Sequence, residues 1–392
     1  TQGSKLYSVL PADGVGDFTF SRGSAATRIN KDGLIETVAS GVSRLNYPLI
    51  DGVVNGCPSH LLEPERLQKI QYSEDFSQSS WAKTSASITI NSIISPDGSL
   101  NASKITEDST LNNHRISVNG LIGSGTHTIT VFAKANDRNW LLIRNAANNA
   151  WFDVSNGVVG TVQSGTGSIE NYGNGWYRCS VTMSSLSTPA IGISDNNDSY
   201  SYQGNGTGSL YIFGAQAEQG SYATSYIPNY GTSAGITRSA ETATGAGDAS
   251  TFNDSEGVLM AEISGFNETV YANNWISLTD GTTNQNNYVS IQQDTAGNII
   301  SRVRVNGVNS AVLYSTIIDQ SLSSKIAIKY KLNDFSLYVN GFEYDSNNVG
   351  SIFSTNTLSK LSFDYNSLSN PFYGNIKQIQ YFDSALNDSD LE

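Results

Sequence analysis

Cysteine, methionine and histidine are scarce in this chain, at two, two and three residues out of 392. The histidines, His60, His114 and His127, form no His-Glu-x-x-His, no Cys-x-x-Cys occurs, and the Gly-x-Ser-x-Gly match Gly231-Thr-Ser-Ala-Gly235 lies in a loose Gly/Ser/Thr/Ala segment rather than between a strand and a helix. Metalloprotease, zinc-ribbon and α/β-hydrolase chemistry therefore lack their parts. Cys57 and Cys179 fall in segments that read as different domains. Cys179, within Trp-Tyr-Arg-Cys-Ser-Val-Thr, reads as an inward-facing thiol acting as a small hydrophobe, with a disulfide as the alternative. Charge is sparse too: 15% of residues are charged, against about 25% in typical soluble proteins. Acidic residues outnumber basic ones 35 to 22, for a formal charge of -13, with no Lys/Arg cluster. Phosphate backbones require such clusters, so nucleic acid is excluded as a partner. No stretch approaches the roughly 18 apolar residues of a membrane span. Thr1-Gln-Gly-Ser-Lys5 does not read as a secretion signal. The absence of heptads and fixed-period repeats excludes coiled-coil and β-helix stalks.

Ser, Thr, Asn and Gly fill the gap, together with 20 Tyr. These residues favour turns and uncharged strand faces over exposed helices, so the class is all-β. A chain this long exceeds one hydrophobic core. The expected architecture is two antiparallel β-sandwiches (jelly rolls) in tandem, behind an irregular N-terminal segment. That segment, residues 1–66, has few apolar runs and is expected to lie along a neighbouring domain or subunit. Arg22, Arg28 and Arg44 recur in it, with carboxylates or backbone carbonyls as their expected partners. The first sandwich spans 67–238, with alternating strands at 86–92, 127–134, 140–144, 150–154, 176–182 and 209–218. Asp97-Gly98, Asn119-Gly120, Asn156-Gly157 and Asn174-Gly175 punctuate it. Residues 239–254, poor in large apolar groups, read as a linker, partly ordered against either neighbour. The second sandwich spans 255–392, with hairpin turns at Asn306-Gly307 and Asn340-Gly341.

Several strings carry a resemblance. They are Phe18-Thr-Phe-Ser-Arg-Gly-Ser-Ala-Ala-Thr-Arg-Ile-Asn-Lys-Asp-Gly-Leu-Ile-Glu36, Cys57-Pro-Ser-His-Leu-Leu-Glu-Pro64, Tyr72-Ser-Glu-Asp-Phe-Ser77, Asn171-Tyr-Gly-Asn-Gly-Trp-Tyr-Arg-Cys-Ser-Val-Thr182 and Gly214–Pro228. Together they resemble a module of bacteriophage virion proteins, among them tail-fibre and head-spike proteins. The run Arg66-Leu-Gln-Lys-Ile70 departs from that family, which more often carries a Thr-Asn-Leu-type run there. The resemblance implies a carbohydrate-binding-module jelly roll after the arginine-rich lead. Residues 325–341 and 374–386 are similar to concanavalin-A-like and laminin-G-like sandwiches. Fold alone transfers no ligand.

The resemblance implies a virion-surface adhesin for host glycan, non-enzymatic, attached to other virion proteins through its N-terminal segment. A homo-oligomer, trimeric if fibre-like, goes with it. The alternatives are a structural virion part that uses lectin-like domains for subunit contacts, and a depolymerase with dispersed carboxylates. Glu343-Tyr-Asp-Ser-Asn-Asn348 falls short of the Glu-x-Asp-x-x-Glu of concanavalin-like hydrolases, lacking the last carboxylate. Sugars present apolar CH faces and hydroxyl rims, so their sites pair an aromatic platform with Asn, Asp or Gln. Trp140, Trp151, Trp176, Tyr177 and Trp275 are the candidate platforms, with core burial as the alternative for each tryptophan. Trp176 and Tyr177, consecutive in a strand, should face opposite ways. Carbohydrate-binding jelly rolls often carry a structural Ca²⁺ held from their first and last strands. Glu74, Asp75 and Glu218 stand in the matching regions, solvated turn residues being the alternative. In the tail at Gly220–Pro228 the tyrosines are expected to pack rather than to bind.

Overall fold

The computed structural model describes residues 4–6, 18–265, 274–294, 296–316, 319, 322–365 and 370–391. Of the expected N-terminal segment, residues 1–3 and 7–17 lie outside them. Strands dominate, and the described residues hold one short helix, Asp388–Leu391. None of their helices is long and apolar enough to cross a membrane.

Alternation along the middle of the chain builds two six-stranded antiparallel sheets. One runs Trp81–Thr84, His114–Val118, Pro189–Ser194, Trp140–Asn145, Asn148–Asp153, Val158–Val162. The other runs Ala86–Ile94, Leu100–Glu107, Ser209–Gln219, Ile122–Ala135, Trp176–Ser187, Thr166–Asn171. Ile105, Ile129, Val131, Cys179, Val181 and Ile212 of the second sheet meet Ile116, Leu141, Ile143, Phe152 and Ile191 of the first. Cys179 is buried and free, as its inward position required, and Cys57 is free and exposed. Ser209–Gln219 closes the sandwich in sequence but is central in its sheet, hydrogen-bonded to Leu100–Glu107 on one side and Ile122–Ala135 on the other.

The middle of the second sheet is buried on both faces. Its outward residues Ala102, Phe132, Trp176 and Phe213 pack under Ile35 of the N-terminal segment and Tyr226 of the tail. Tyr226 sits edge-on to Phe132 at 5.9 Å, and the Thr27 hydroxyl donates to its carbonyl O at 2.6 Å. The tail therefore folds back and packs, as expected of its tyrosines.

The last part of the chain forms a second two-sheet core, and residues from far upstream complete it. Its five-stranded sheet runs Val308–Tyr314, Ile299–Val305, Tyr288–Gln293, Asn274–Thr279, Lys360–Ser362. In the opposite sheet Gly374–Phe382 pairs with Glu256–Gly265 on one edge and with Ser59–Leu62 on the other. Phe18, Phe20 and Leu62 belong to this core. So do Ala243, Ala246 and Phe252, from the stretch expected to be a linker. Thr242–Thr244 pairs with Thr19–Ser21. Residues 239–254 are thus ordered: small residues are what a close approach of two backbones to a filled core admits, and composition alone cannot separate that from flexibility. At both expected hairpins, Asn306-Gly307 and Asn340-Gly341, the two turn residues have positive φ, as a two-residue turn matched to strand twist demands.

A buried ionic network ties the parts together. Arg22 Nη1 donates to Glu241 Oε1 at 2.7 Å, and Arg44 Nη2 to Glu63 Oε2 at 2.8 Å. Arg44 also pairs with Glu241, and Arg238 Nη1 reaches Glu63 Oε2 at 2.5 Å. These five side chains are 0–2% exposed. Backbone carbonyls take further donors: Thr27 O from Arg44 at 2.7 Å, Ala39 O from Arg22 at 2.6 Å. Two of the three arginines expected to hold the N-terminal segment do so here, and Arg28 pairs with Glu36 on the hairpin rim.

Candidate functional site

Three of the five aromatic candidates cannot face a ligand. Trp151 is fully buried, although it lies on the opposite side of its strand from the core residues Ala150 and Phe152. Trp176 is 2% exposed, donating its indole N–H to Ile94 O at 3.1 Å. Trp275 is 5% exposed, its ring 3.9 Å from Tyr365 and beneath the Arg302 guanidinium. Strand alternation says which way an aromatic points but not whether another segment covers it. Trp140 and Tyr177 remain half-buried. Trp176 and Tyr177 do face opposite ways, Trp176 under the N-terminal segment and Tyr177 against the inter-sheet core. Trp151→Ala is expected to cost about 3–5 kcal/mol of stability, read by urea denaturation; a ligand platform would lose affinity at unchanged stability instead.

The three carboxylates proposed for Ca²⁺ do not converge. Glu218, fully buried, accepts from Gln216 Nε2 at 2.7 Å, Thr224 N at 2.8 Å and Thr224 Oγ1 at 2.6 Å. Its oxygens are thus committed to holding the tail. Asp75 caps its own turn, accepting from Ser77 Oγ and Gln78 Nε2, each at 2.6 Å. Among the described residues no three His, Cys, Asp or Glu side chains could hold a metal ion together.

Glu74 instead lies at the centre of an open cleft of about 360 Å³, lined by Tyr72, Glu74, Asp75, Ile90, Asn91, Asn101, Asn229 and Tyr230. Glu74 and Tyr230 also line an adjoining recess of about 310 Å³ with Asp97 and Tyr226. The cleft forms where the loop before the first strand of the sandwich meets the end of the tail. Ser73 N donates to Asn229 O at 2.8 Å, and Asn229 N to Ser73 Oγ at 2.8 Å. Asn229 Oδ1 then turns the chain by accepting from Gly231 N at 3.1 Å and Thr232 N at 2.8 Å. That turn leaves Tyr230 72% exposed. Tyr72 has φ +52, held by the Trp81 indole donating to its carbonyl O at 3.0 Å. A Cβ on Gly231 would come within 2.9 Å of the Tyr72 ring, so glycine is required there. Asn91, at φ +52, stands in the bulge where Ala86–Ile94 loses register with its partner.

The electrostatics are one-sided. Among the described lining residues none is Lys, Arg or His. Glu74 accepts from the Tyr226 hydroxyl at 3.1 Å and from Asn101 Nδ2 at 3.5 Å. Burial, and secondarily the charge of Asp97, push its carboxyl up to about 7. Near neutral pH it therefore alternates between proton donor and anion. The same Asn101 Nδ2 donates to Asp97 Oδ2 at 2.9 Å, so an amide stands between the two carboxyls. Sequence reasoning reached Glu74 and Asp75 for another purpose and missed Tyr230, Asn229 and Asn101. The available signal was Asn229-Tyr230-Gly231 after Pro228, a turn that lifts an aromatic off the surface.

The fold and this cleft define a two-sandwich, all-β protein with an open aromatic and amide-lined recess on its middle domain. No family model and no curated sequence matches the chain. Among solved structures it is similar to the IT-sialidase CBM40 of Ruminococcus gnavus, at 18% identity over 38% of this chain and 91% of that one, TM-score 0.32. It is also similar to domain 4 of a GH43 extracellular arabinanase from Geobacillus stearothermophilus in complex with arabinotriose, at 15% identity over 39% and 71%, TM-score 0.31. Domains LG4-5 of the mouse laminin α1 chain match at 8% identity over 72% and 93%, TM-score 0.24. At these identities and scores the likeness says nothing of what this chain binds.

Proposed function

We propose that this chain is a non-enzymatic glycan-binding protein of a bacteriophage particle, a spike or fibre head that adheres to host-surface polysaccharide. The observation that carries the glycan reading is the Glu74 cleft. Tyr230 and Tyr72 offer faces for sugar CH groups, and Asn91, Asn101, Asn229 and Asp75 supply a polar rim for hydroxyls. Without a cation in its described lining, the cleft favours a neutral saccharide over a sialylated or uronic one. The particle context rests on the sequence resemblance. Val42, Ile50 and Val53, more than half exposed on the N-terminal segment, are the surface this reading offers to other virion proteins. The non-enzymatic part is supported by Asn101, whose amide donates to both Glu74 and Asp97, so this carboxyl pair is already bridged. The reading requires no metal, and EDTA should leave binding unchanged.

Purified protein is expected to bind neutral host polysaccharide and to compete with particle adsorption. Tyr230→Ala should weaken binding about tenfold, the loss of one aromatic contact of about 1.4 kcal/mol. Covering Glu74 with sugar raises the cost of charging it, so affinity should fall as pH rises from 6 to 8 and stay flat in Glu74→Gln. Failure to bind any neutral glycan from susceptible cells would sink the adhesin reading. Release of new reducing ends would overturn its non-enzymatic part.

A further inference from the structure

A second recess, of about 500 Å³, opens on the opposite partnership, between residues 46–51 of the N-terminal segment and the edge strands of the middle sandwich. Three tyrosines line it, Tyr47, Tyr172 and Tyr177, along with the carboxylates Asp51 and Glu170. It is closed by backbone contact between two loops. A Cβ on Gly52 would lie 2.5 Å from Gly173 N, and one on Gly173 would lie 2.3 Å from Gly52 O. Both glycines have positive φ. On another wall Gly157, also at positive φ, lies under the Tyr177 ring, where a Cβ would come within 2.6 Å of Cε1. Tyr172 is set by its edge contact with Phe132, ring centroids 4.9 Å apart. The walls are therefore fixed by packing before any ligand arrives.

We infer that this recess binds an organic ammonium group, as carried by a de-N-acetylated amino sugar or by choline. Aromatic faces attract cations through the ring quadrupole, an attraction that strengthens when water is excluded. Two carboxylates add Coulombic pull, and no Lys, Arg or His is among the described lining residues. Arg178 is not itself among the lining residues, although it interacts with Tyr172 and Glu170, which are. Its Nη2 donates to Thr224 O at 2.7 Å and its guanidinium lies over Phe132, 5.4 Å from the ring centroid. An ammonium group meets both acids while its carbon substituents meet the tyrosines; Arg178, the cross-strand partner of Glu170, already offsets part of that carboxylate's charge, so Asp51 is the stronger anchor. The site is separate from the Glu74 cleft, with which it shares no residue.

Calorimetric titration of the full chain at pH 6 tests this with three probes: glucosamine trimer, its fully N-acetylated counterpart, and choline. The expected result is that glucosamine trimer binds, that the acetylated trimer binds at least tenfold more weakly, and that added salt weakens the interaction. Comparable binding of choline would assign recognition to the ammonium alone; failure of choline beside a bound trimer would assign it to the amino sugar. Asp51→Asn and Glu170→Gln should each weaken the ammonium ligand several-fold, with thermal melts confirming that both variants fold. Equal binding of acetylated and free-amine trimers, no binding of either cation, or unchanged affinity in both variants would overturn the inference.

Discussion

Arg44→Ala should destabilise the protein by about 3–5 kcal/mol, the range for removing one partner from a buried ion pair. Arg44 is fully buried, and its guanidinium serves Glu241, Glu63, the Thr27 carbonyl and the Ser225 hydroxyl. Alanine would leave two buried carboxylates with fewer donors and an empty space the size of a guanidinium. The network spans residue 22 to residue 241, so the loss should register in both sandwiches. Circular dichroism and tryptophan fluorescence during urea unfolding are expected to separate in the variant and to coincide in the parent. Arg44→Met should recover part of the loss, because it refills the space without leaving Arg22 short of its partner Glu241. A change below about 1 kcal/mol in the alanine variant would show that the network is dispensable.

Acid should unfold this protein steeply below pH 4.5 through two groups, with a third masking the onset at higher pH. His60 is buried beside Phe20, and burial with the charges of Arg44 and Arg22 pulls it down to about 3. The unfolded chain takes that proton near 6.5, so His60 contributes stability above 6.5 that is lost as pH falls toward 3. Glu63 is lowered to about 2 against its burial by Arg238, Arg44 and Ser225. Its contribution is present above 4.5 and is lost between 4.5 and 2. Glu74 acts oppositely: raised to about 7, its carboxyl is better accommodated protonated, and stability falls as pH rises from 4.5 to 7. Between 6.5 and 4.5 the His60 and Glu74 effects nearly cancel, giving a flat profile. Below 4.5 His60 and Glu63 act together, at up to about 2.7 kcal/mol per pH unit. Urea midpoints from pH 3 to 8 read this out. Glu74→Gln should uncover a slope between 6.5 and 4.5, and a flat profile there in the variant would refute the His60 assignment.

The site shows how far local signals reach. Glu74 and Asp75 were visible as oxygen ligands near the first strand, yet their chemistry differs from that expectation. Asp75 is satisfied by its own turn, whereas Glu74 meets Asn101 of the strand Leu100–Glu107, and Tyr226 and Tyr230 only because the tail folds back across it. Glu218, the closing strand's candidate metal ligand, is occupied by Thr224 six residues later.

From the sequence alone came the all-β class, the alternating strands, the Asn-Gly hairpins, the inward Cys179 and the arginines as structural ties. Each follows from backbone geometry or from a charge that must find a partner, whichever residue that partner proves to be. Tertiary structure alone decided that Ser59–Leu62 and residues 239–254 complete the second sandwich, that Trp151, Trp176 and Trp275 are covered, and that Tyr230 stands in water. Periodicity reports which residues share a face of a strand. Whether that face meets solvent, a second sheet or an arm of chain from two hundred residues away is set by long-range packing, which leaves no local signature.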